Sequence, residues 1–363
     1  MSYQAPIAPT LFDLLGRSWT LDAPVAEVCF NRAGEAVAFR AGAGLAIAAL
    51  ADPERPETRI RIAADDGRRT IAPRRNPPRP LARADGLAGP VAAYGGKSFV
   101  TGSARGGLVS VTQRGQVTPL ATPFDGPLDA IARDPASAAV AAASGARVLV
   151  LPDDADAPPL RLEAPGPVAA LAYAPDGRLL AAAHEAGVML WRDGAPLGVV
   201  EVDRPATLSF APDGGALACG LADHGFALID LSDFAVETVA DYPTPVRSFA
   251  WLREPAALAA SGAFRITAWL RDGHGLGAPI EAGRVGLVVV ERMAGCPTRP
   301  LIAAGYANGL LCLARAGGRD EMLLRVDGPP PTAFAWSADG AHLAVGDAAG
   351  GAALLAFPAD LFK

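Results

Sequence analysis

One pattern recurs along this 363-residue chain and limits its fold more than any other feature. It is an alternating apolar run, a tight turn, a run of small residues, a second turn and another alternating apolar run. The clearest copy is GPVAALAYAPDGRLLAAAHEAGVMLWRDGAPLG, from Gly166 to Gly198. Val168 to Tyr173 alternates as a strand, Pro175-Asp176-Gly177 is a turn, and Leu179 to Ala183 is a strand of small residues. A turn at Gly187 leads into a third strand that ends at Trp191. Period-two alternation punctuated by Asp-Gly turns is the signature of consecutive β-hairpins.

The layout returns from Ala23 to Leu50, from Arg204 to Leu231 and from Pro330 to Phe357, with weaker copies starting at Gly89, Gly126, Thr244 and Gly286. The apolar or small residues opening the eight units are Val25, Val91, Leu128, Val168, Ala206, Val246, Leu287 and Thr332. Most gaps between them lie near the roughly 40-residue period of a four-stranded propeller blade. The exception is Val25 to Val91, and the excess falls in a Pro/Arg-rich stretch, an inserted loop at about 64–88. The last unit has room for only three strands before Lys363, whereas Arg17-Ser18-Trp19-Thr20-Leu21 is a β-prone run with no partner in the scheme. That run is expected to complete the last blade, antiparallel to Ala352–Phe357, with Trp19 packed on it. The expected fold is therefore all-β, with almost no helix: an N-terminal segment over 1–16, then a single β-propeller over 17–363. Eight four-stranded blades are expected, with seven as the alternative.

The phrases YAPDGRLLAAAHEAGVMLWRDG, FAPDGGALACGLADHGFALIDL and WSADGAHLAVGDAAGGAALLAF resemble the WD-repeat β-propellers, and the likeness runs from about Ser18 to Phe357. The family's Gly-His and Trp-Asp pairs are missing, and only Trp191 and Trp269 stand where the repeat's terminal Trp is expected. The Asp/His/Ser/Trp hydrogen-bond tetrad of typical blades therefore cannot form. Apolar packing of small residues such as Ala181-Ala182-Ala183, Ala259-Ala260 and Ala303-Ala304 has to join the blades instead. The resemblance implies a scaffold for protein partners.

Composition narrows the function classes. Hydrophobic residues make up 51% and charged residues 19%, which excludes a disordered chain, and 40 Gly with 33 Pro call for many turns. The net charge of −6 argues against nucleic acid or an acidic membrane as the partner. No run of about 18 apolar residues is free of turn signals, and the N-terminus lacks a signal-peptide pattern, so a cytoplasmic protein is expected. Cys29, Cys219, Cys296 and Cys312 are too scattered for a disulfide framework or a zinc knuckle. The first, second and fourth lie in apolar strands and are expected to pack; Cys296, before Pro297, is expected to react.

Few residues suggest chemistry. Gly89–Ser98, GPVAAYGGKS, has Val91 where a P-loop needs Gly, and suits a hairpin turn better. His184 and His224 fall at equivalent turns and could line one rim, although turns favour polar residues anyway. The first strands read as Ala, Val, Leu and Phe, and no nucleophile motif or metal-ligand spacing stands out. No cofactor is expected. Arg68, Arg69, Arg74, Arg75, Arg79 and Arg83 share a Pro-rich loop with no interleaved aromatic, which suits docking of an acidic protein better than base stacking. The expected function is a non-catalytic interaction scaffold for cytoplasmic proteins. The alternative is a lactonase- or hydrolase-type propeller with a divalent cation at its channel mouth.

Overall fold

The repeat folds because its turn chemistry is local. In Pro175-Asp176-Gly177 the Asp176 carboxylate accepts the Arg178 amide at 3.0 Å, and Gly177 takes φ +74°, a left-handed conformation that side chains disfavour. Asp213-Gly214 and Asp339-Gly340 repeat this arrangement. In the computed structural model, which describes residues 9–62, 64–65, 67, 69–121, 123–153, 157–271, 275–283 and 286–362, these hairpins build eight four-stranded antiparallel sheets. Blades 1 to 7 span residues 25–85, 87–121, 130–163, 170–200, 205–239, 249–282 and 290–325. Blade 8 is Pro331–Trp336, His342–Asp347, Gly351–Ala356 and, from the other end of the chain, Gly16–Thr20. The first strands touch in seven neighbouring pairs of blades, blade 8 with blade 1 included, so they are innermost.

The closing strand pairs antiparallel as expected, Gly16 opposite Leu355 through Thr20 opposite Gly351. Trp19 does not stop at blade 8. It joins the cluster shared with blade 1, its ring centroid 6.4 Å from that of Phe39. Ahead of it, Leu11–Leu15 forms one helical turn and a half, capped reciprocally by Thr10 and Asp13, with Phe12 and Leu15 buried.

The core is eight clusters, one at each interface between adjacent blades. Ala181, Ala182, Ala183, Ala259 and Ala260 are fully buried, as sheets packed this closely require. Trp191 and Trp269 are buried in these clusters too. At one end of six interfaces sits a half-buried aromatic from a first strand: Phe30, Tyr94, Tyr173, Phe210, Trp251 and Trp336. Hydrogen bonds between blades take the place of the missing tetrad. Trp251 Nε1 donates to Ser209 Oγ (2.9 Å), Trp336 Nε1 to the Ala294 carbonyl (3.1 Å), and the Met293 amide to Ser248 Oγ (2.8 Å). The Val91 amide donates to Glu27 (2.8 Å), and Thr332 Oγ1 to the Val25 carbonyl, which closes the ring.

Three of the eight opening residues were misplaced by the alternation. Leu287 is 91% exposed, Ala206 is exposed and Thr332 half-buried; Val290, Pro205 and Pro331 are the buried openers. In blades 5 and 8 the cause is a β-bulge at the second residue of the first strand, at Ala206 and Thr332, with equivalents at Ala26 and Glu291. A bulge puts two residues opposite one and resets which face follows.

Candidate protein-docking arm

Most of the Pro/Arg-rich stretch is folded. After the third strand of blade 1, Gly44–Ala49, the chain makes a 3-10 turn at Pro56–Arg59 and a two-stranded hairpin, Ile60–Ile62 with Arg69–Ile71. It then returns as the outer strand of the blade, Ala82–Asp85. The arm proper thus covers 51–81, and the segment 64–88 read as a loop contains half the hairpin and the outer strand. The arm is braced by its own arginines and is tied to the N-terminal end of the chain through Arg59 and Arg17.

Arg59 is 8% exposed and donates to the carbonyls of Glu54 (2.9 Å), Leu14 (2.6 Å) and Ala72. Arg74 grips Asp52 with two hydrogen bonds, Nη1 to Oδ2 at 2.6 Å and Nη2 to Oδ1 at 3.0 Å. Arg17, from the closing strand, approaches the same carboxylate at 3.8 Å. Burial alone would raise the Asp52 pKa, but the Arg74 hydrogen bonds and the two cations hold it below the usual carboxylate range. Trp19 Nε1 donates to the Arg79 carbonyl at 2.8 Å, and Ile71 packs in the cluster between blades 7 and 8.

The six candidate arginines therefore divide. Arg74 is committed to Asp52. Arg69, Arg75, Arg79 and Arg83 are exposed, Arg69 beside Asp360 at 3.4 Å and Arg83 beside Asp22 at 3.3 Å. Arg83 stands on the outer strand rather than in a loop. Arg68 lies outside the described residues. Arg61, upstream of the stretch read as the Arg-rich loop, is exposed on the hairpin with them, and Arg55 near the 3-10 turn is exposed as well. The signal for both was the same Arg-rich run, extended upstream of residue 64. Residues 51–81 hold eight arginines against five acidic residues, a charge of +3; in a chain of −6, the remainder carries −9.

The other candidates are not drawn together. His184 and His224 both stand at the hairpin between second and third strands, but His184 is 3% exposed, so of the two only His224 presents its side chain to solvent. Gly89–Ser98 is a strand and a hairpin turn, Tyr94 pairing with Ser98. The first strands carry more charge than the apolar pattern suggested: Glu27 with Arg40 at 3.2 Å, Arg133, and Glu291 with Arg247 at 3.6 Å. Cys296 is 4% exposed, its amide bonded to the Leu301 carbonyl, so the exposed thiol expected from Pro297 is not there. Cys219 and Cys312 are buried; Cys29 is half-buried, and burial pushes its thiol up to about 12. Among the described residues, no three His, Cys, Asp or Glu side chains group as metal ligands, and no helix is long and apolar enough to cross a membrane.

No family model and no curated protein matches the sequence. Solved structures do match. One described as the Dos1 propeller superposes with a TM-score of 0.67 over 94% of this chain and 94% of its own, at 11% identity. The protein is an eight-bladed β-propeller. At that identity the likeness is one of fold alone, and 1661 matching chains make it a widely used one.

Proposed function

We propose that this propeller is a non-catalytic docking platform, in the manner of WD-repeat scaffolds, and that its arm presents a basic surface to an acidic cytoplasmic protein. The observation that carries this reading is the division of the arm's arginines. Arg17, Arg59 and Arg74 spend their hydrogen bonds on bracing the arm, while Arg61, Arg69, Arg75 and Arg79 stand exposed along it and Arg83 is exposed on the adjoining outer strand. A braced arm keeps those charges in place, so binding orders little more of it. The excess of +3 on a chain otherwise negative favours an acidic surface at the arm and repels it elsewhere.

Affinity purification from the native host tests this, with the native protein and a variant carrying Arg69→Glu, Arg75→Glu, Arg79→Glu and Arg83→Glu run side by side. The expected result is a co-purifying acidic protein lost from the variant, whose binding to the purified propeller weakens as salt rises. Partners retained equally by both proteins would remove the arm from the account. A stoichiometric divalent cation in the purified protein, together with hydrolase activity, would replace the scaffold by an enzyme.

A further inference from the structure

Four large apolar side chains stand in solvent on neighbouring blades. Leu197, Val199, Phe234 and Val236 are 37 to 44% exposed, on the outer strands Ala195–Val200 and Val236–Val239 of blades 4 and 5 and the hairpin that leads into the second. Among the described residues, the outer strands of blades 2 and 3 show one such residue each, Val117 and Leu160. The blade 4 edge is closed to an added strand: Pro196 has no N–H, and a β-bulge interrupts the pairing at Leu197. Contact there falls to the side chains.

Charge frames this surface. Residues 170–241 hold eleven acidic residues against three arginines, a charge of −8; with +3 on the arm, −1 is left for the rest of the chain. Asp193 and Asp223 are matched by Arg178 and Arg204 at 2.8 and 2.7 Å, and Asp213 by Arg271 at 3.2 Å. Glu201, Asp203, Asp233, Glu237 and Asp241 are exposed on or beside the two outer strands, with no cationic partner among the described residues. An apolar patch with a charged border has the make-up of a protein interface.

The arm carries the counterpart. Ile62 is 64% exposed on the hairpin, opposite Arg69 and next to Arg61. Arg61, Arg75 and Arg79 are exposed and have no carboxylate partner among the described residues. Blades 4 and 5 stand four places around the ring from blades 8 and 1, where the arm lies, so the two surfaces are on opposite sides of the molecule.

We infer that the acidic protein received by the arm is a second copy of this chain, docked through the outer rim of its blades 4 and 5. Ile62 meets the apolar patch, and the arm's arginines meet the five unpaired carboxylates. This rests on the reading of the arm as a docking surface for an acidic protein. Each copy carries −6, so approach in other orientations is opposed and the arm selects the rim. With the surfaces on opposite sides the contact is head to tail, and each bound copy offers a further arm or rim, so chains of copies grow.

Sedimentation velocity of the purified protein, at concentrations up to about 1 mM, the weak end of specific association, tests this. The average mass is expected to rise with concentration beyond that of a dimer. The arm variant with Arg69→Glu, Arg75→Glu, Arg79→Glu and Arg83→Glu should stay monomeric. So should a rim variant with Glu201→Arg, Asp203→Arg and Asp241→Arg, whose native side chains make no hydrogen bond among the described residues. An equimolar mixture of the two should associate again, because the native arm of one meets the native rim of the other, and recovery shows that both are folded. A native protein that stays monomeric throughout overturns the inference, as does an arm variant that associates like the native protein or a mixture that stays monomeric. The reading of the arm fails separately: a monomeric protein whose arm still captures another acidic protein loses only the second copy as partner, whereas one whose arm variant retains every partner loses both.

Discussion

Asp52 is the residue on which the arm depends. Its carboxylate is the counter-charge that Arg17 and Arg74 share, so removing it leaves two largely buried cations facing each other. Asp52→Ala is expected to cost about 3–5 kcal/mol, the usual penalty for breaking a buried pair from one side. Arg75→Ala, on an exposed side chain of the same arm, should stay within about 0.5 kcal/mol. Urea unfolding of the two variants checks both, and equal losses would mean that Asp52 bears no special load. His184 sets a pH dependence. Its Nδ1 accepts the Ala186 amide at 3.3 Å, its Nε2 is buried without a partner among the described residues, and burial lowers its pKa. The unfolded chain takes up this proton near pH 6.5 while the folded chain resists it, so stability is complete above about pH 6.5 and declines as the pH falls below it. His342 is shifted the same way and adds to the slope. His184→Asn can still accept the Ala186 amide but does not titrate. Its stability should fall less than that of the native protein between pH 6.5 and 5, as measured by urea midpoints; identical slopes would exclude His184 as a contributor.

At the scale of elements, the closing strand was legible in the sequence because only one β-prone run lacked a partner and only one blade lacked a strand. The Asp-Gly turns were legible for a similar reason: an Asp that caps its own turn and a Gly at positive φ act within three residues. What stayed hidden depends on contacts distant in sequence. The bulges at Ala206 and Thr332 keep the alternation on paper while the opener shifts by a residue, and nothing nearby marks them. The arm resembled a loop because its acceptors stand far along the chain from the arginines they hold, the Leu14 carbonyl 45 residues from Arg59 and the Asp52 carboxylate 22 from Arg74. Cys296 looked exposed beside Pro297, yet it is covered by the 337–340 turn of the next blade, where a Cβ on Gly340 would come within 2.9 Å of its Sγ. Together the arm and the closing strand form one clasp, which makes deletion of residues 1–21 more damaging than a lost edge strand alone. It removes five paired residues, the buried Phe12 and Leu15, and acceptors or partners of Arg59 and Asp52. A loss of at least several kcal/mol is expected in chemical denaturation. A truncated protein that melts like the full chain would show that the strand does not close the ring.

The whole molecule is a ring whose eight interfaces are of one kind, so no interface is the natural end of the chain. Closure differs from the other contacts only in being non-covalent within a sheet: three strands of blade 8 come from one end of the chain and the fourth from the other. An open blade edge would leave unpaired backbone groups, and a strand borrowed from the opposite end ties the last blade to the first by a ladder of hydrogen bonds. The restraint belongs to the topology rather than to blade 8 in particular, and circular permutation separates the two. With the original ends joined by a flexible linker, the chain can be reopened at Asp193-Gly194, between the third and fourth strands of blade 4, which recreates the same split in another blade. It can also be reopened at Gly166, between blades 3 and 4, which leaves every blade covalently whole and only side-chain packing to close the ring. The helical segment Leu11–Leu15 and Phe362 share one cluster, so the linker can be short. The first permutant should unfold in one transition with stability close to that of the native chain. The second should be less stable and should show terminal blades that exchange amide protons ahead of the rest, since packing between sheets is weaker than a shared ladder as a restraint on fraying. If the chain opened at Gly166 matches the one opened at Asp193-Gly194 in both respects, the shared strand contributes nothing that the eight packed interfaces do not already supply.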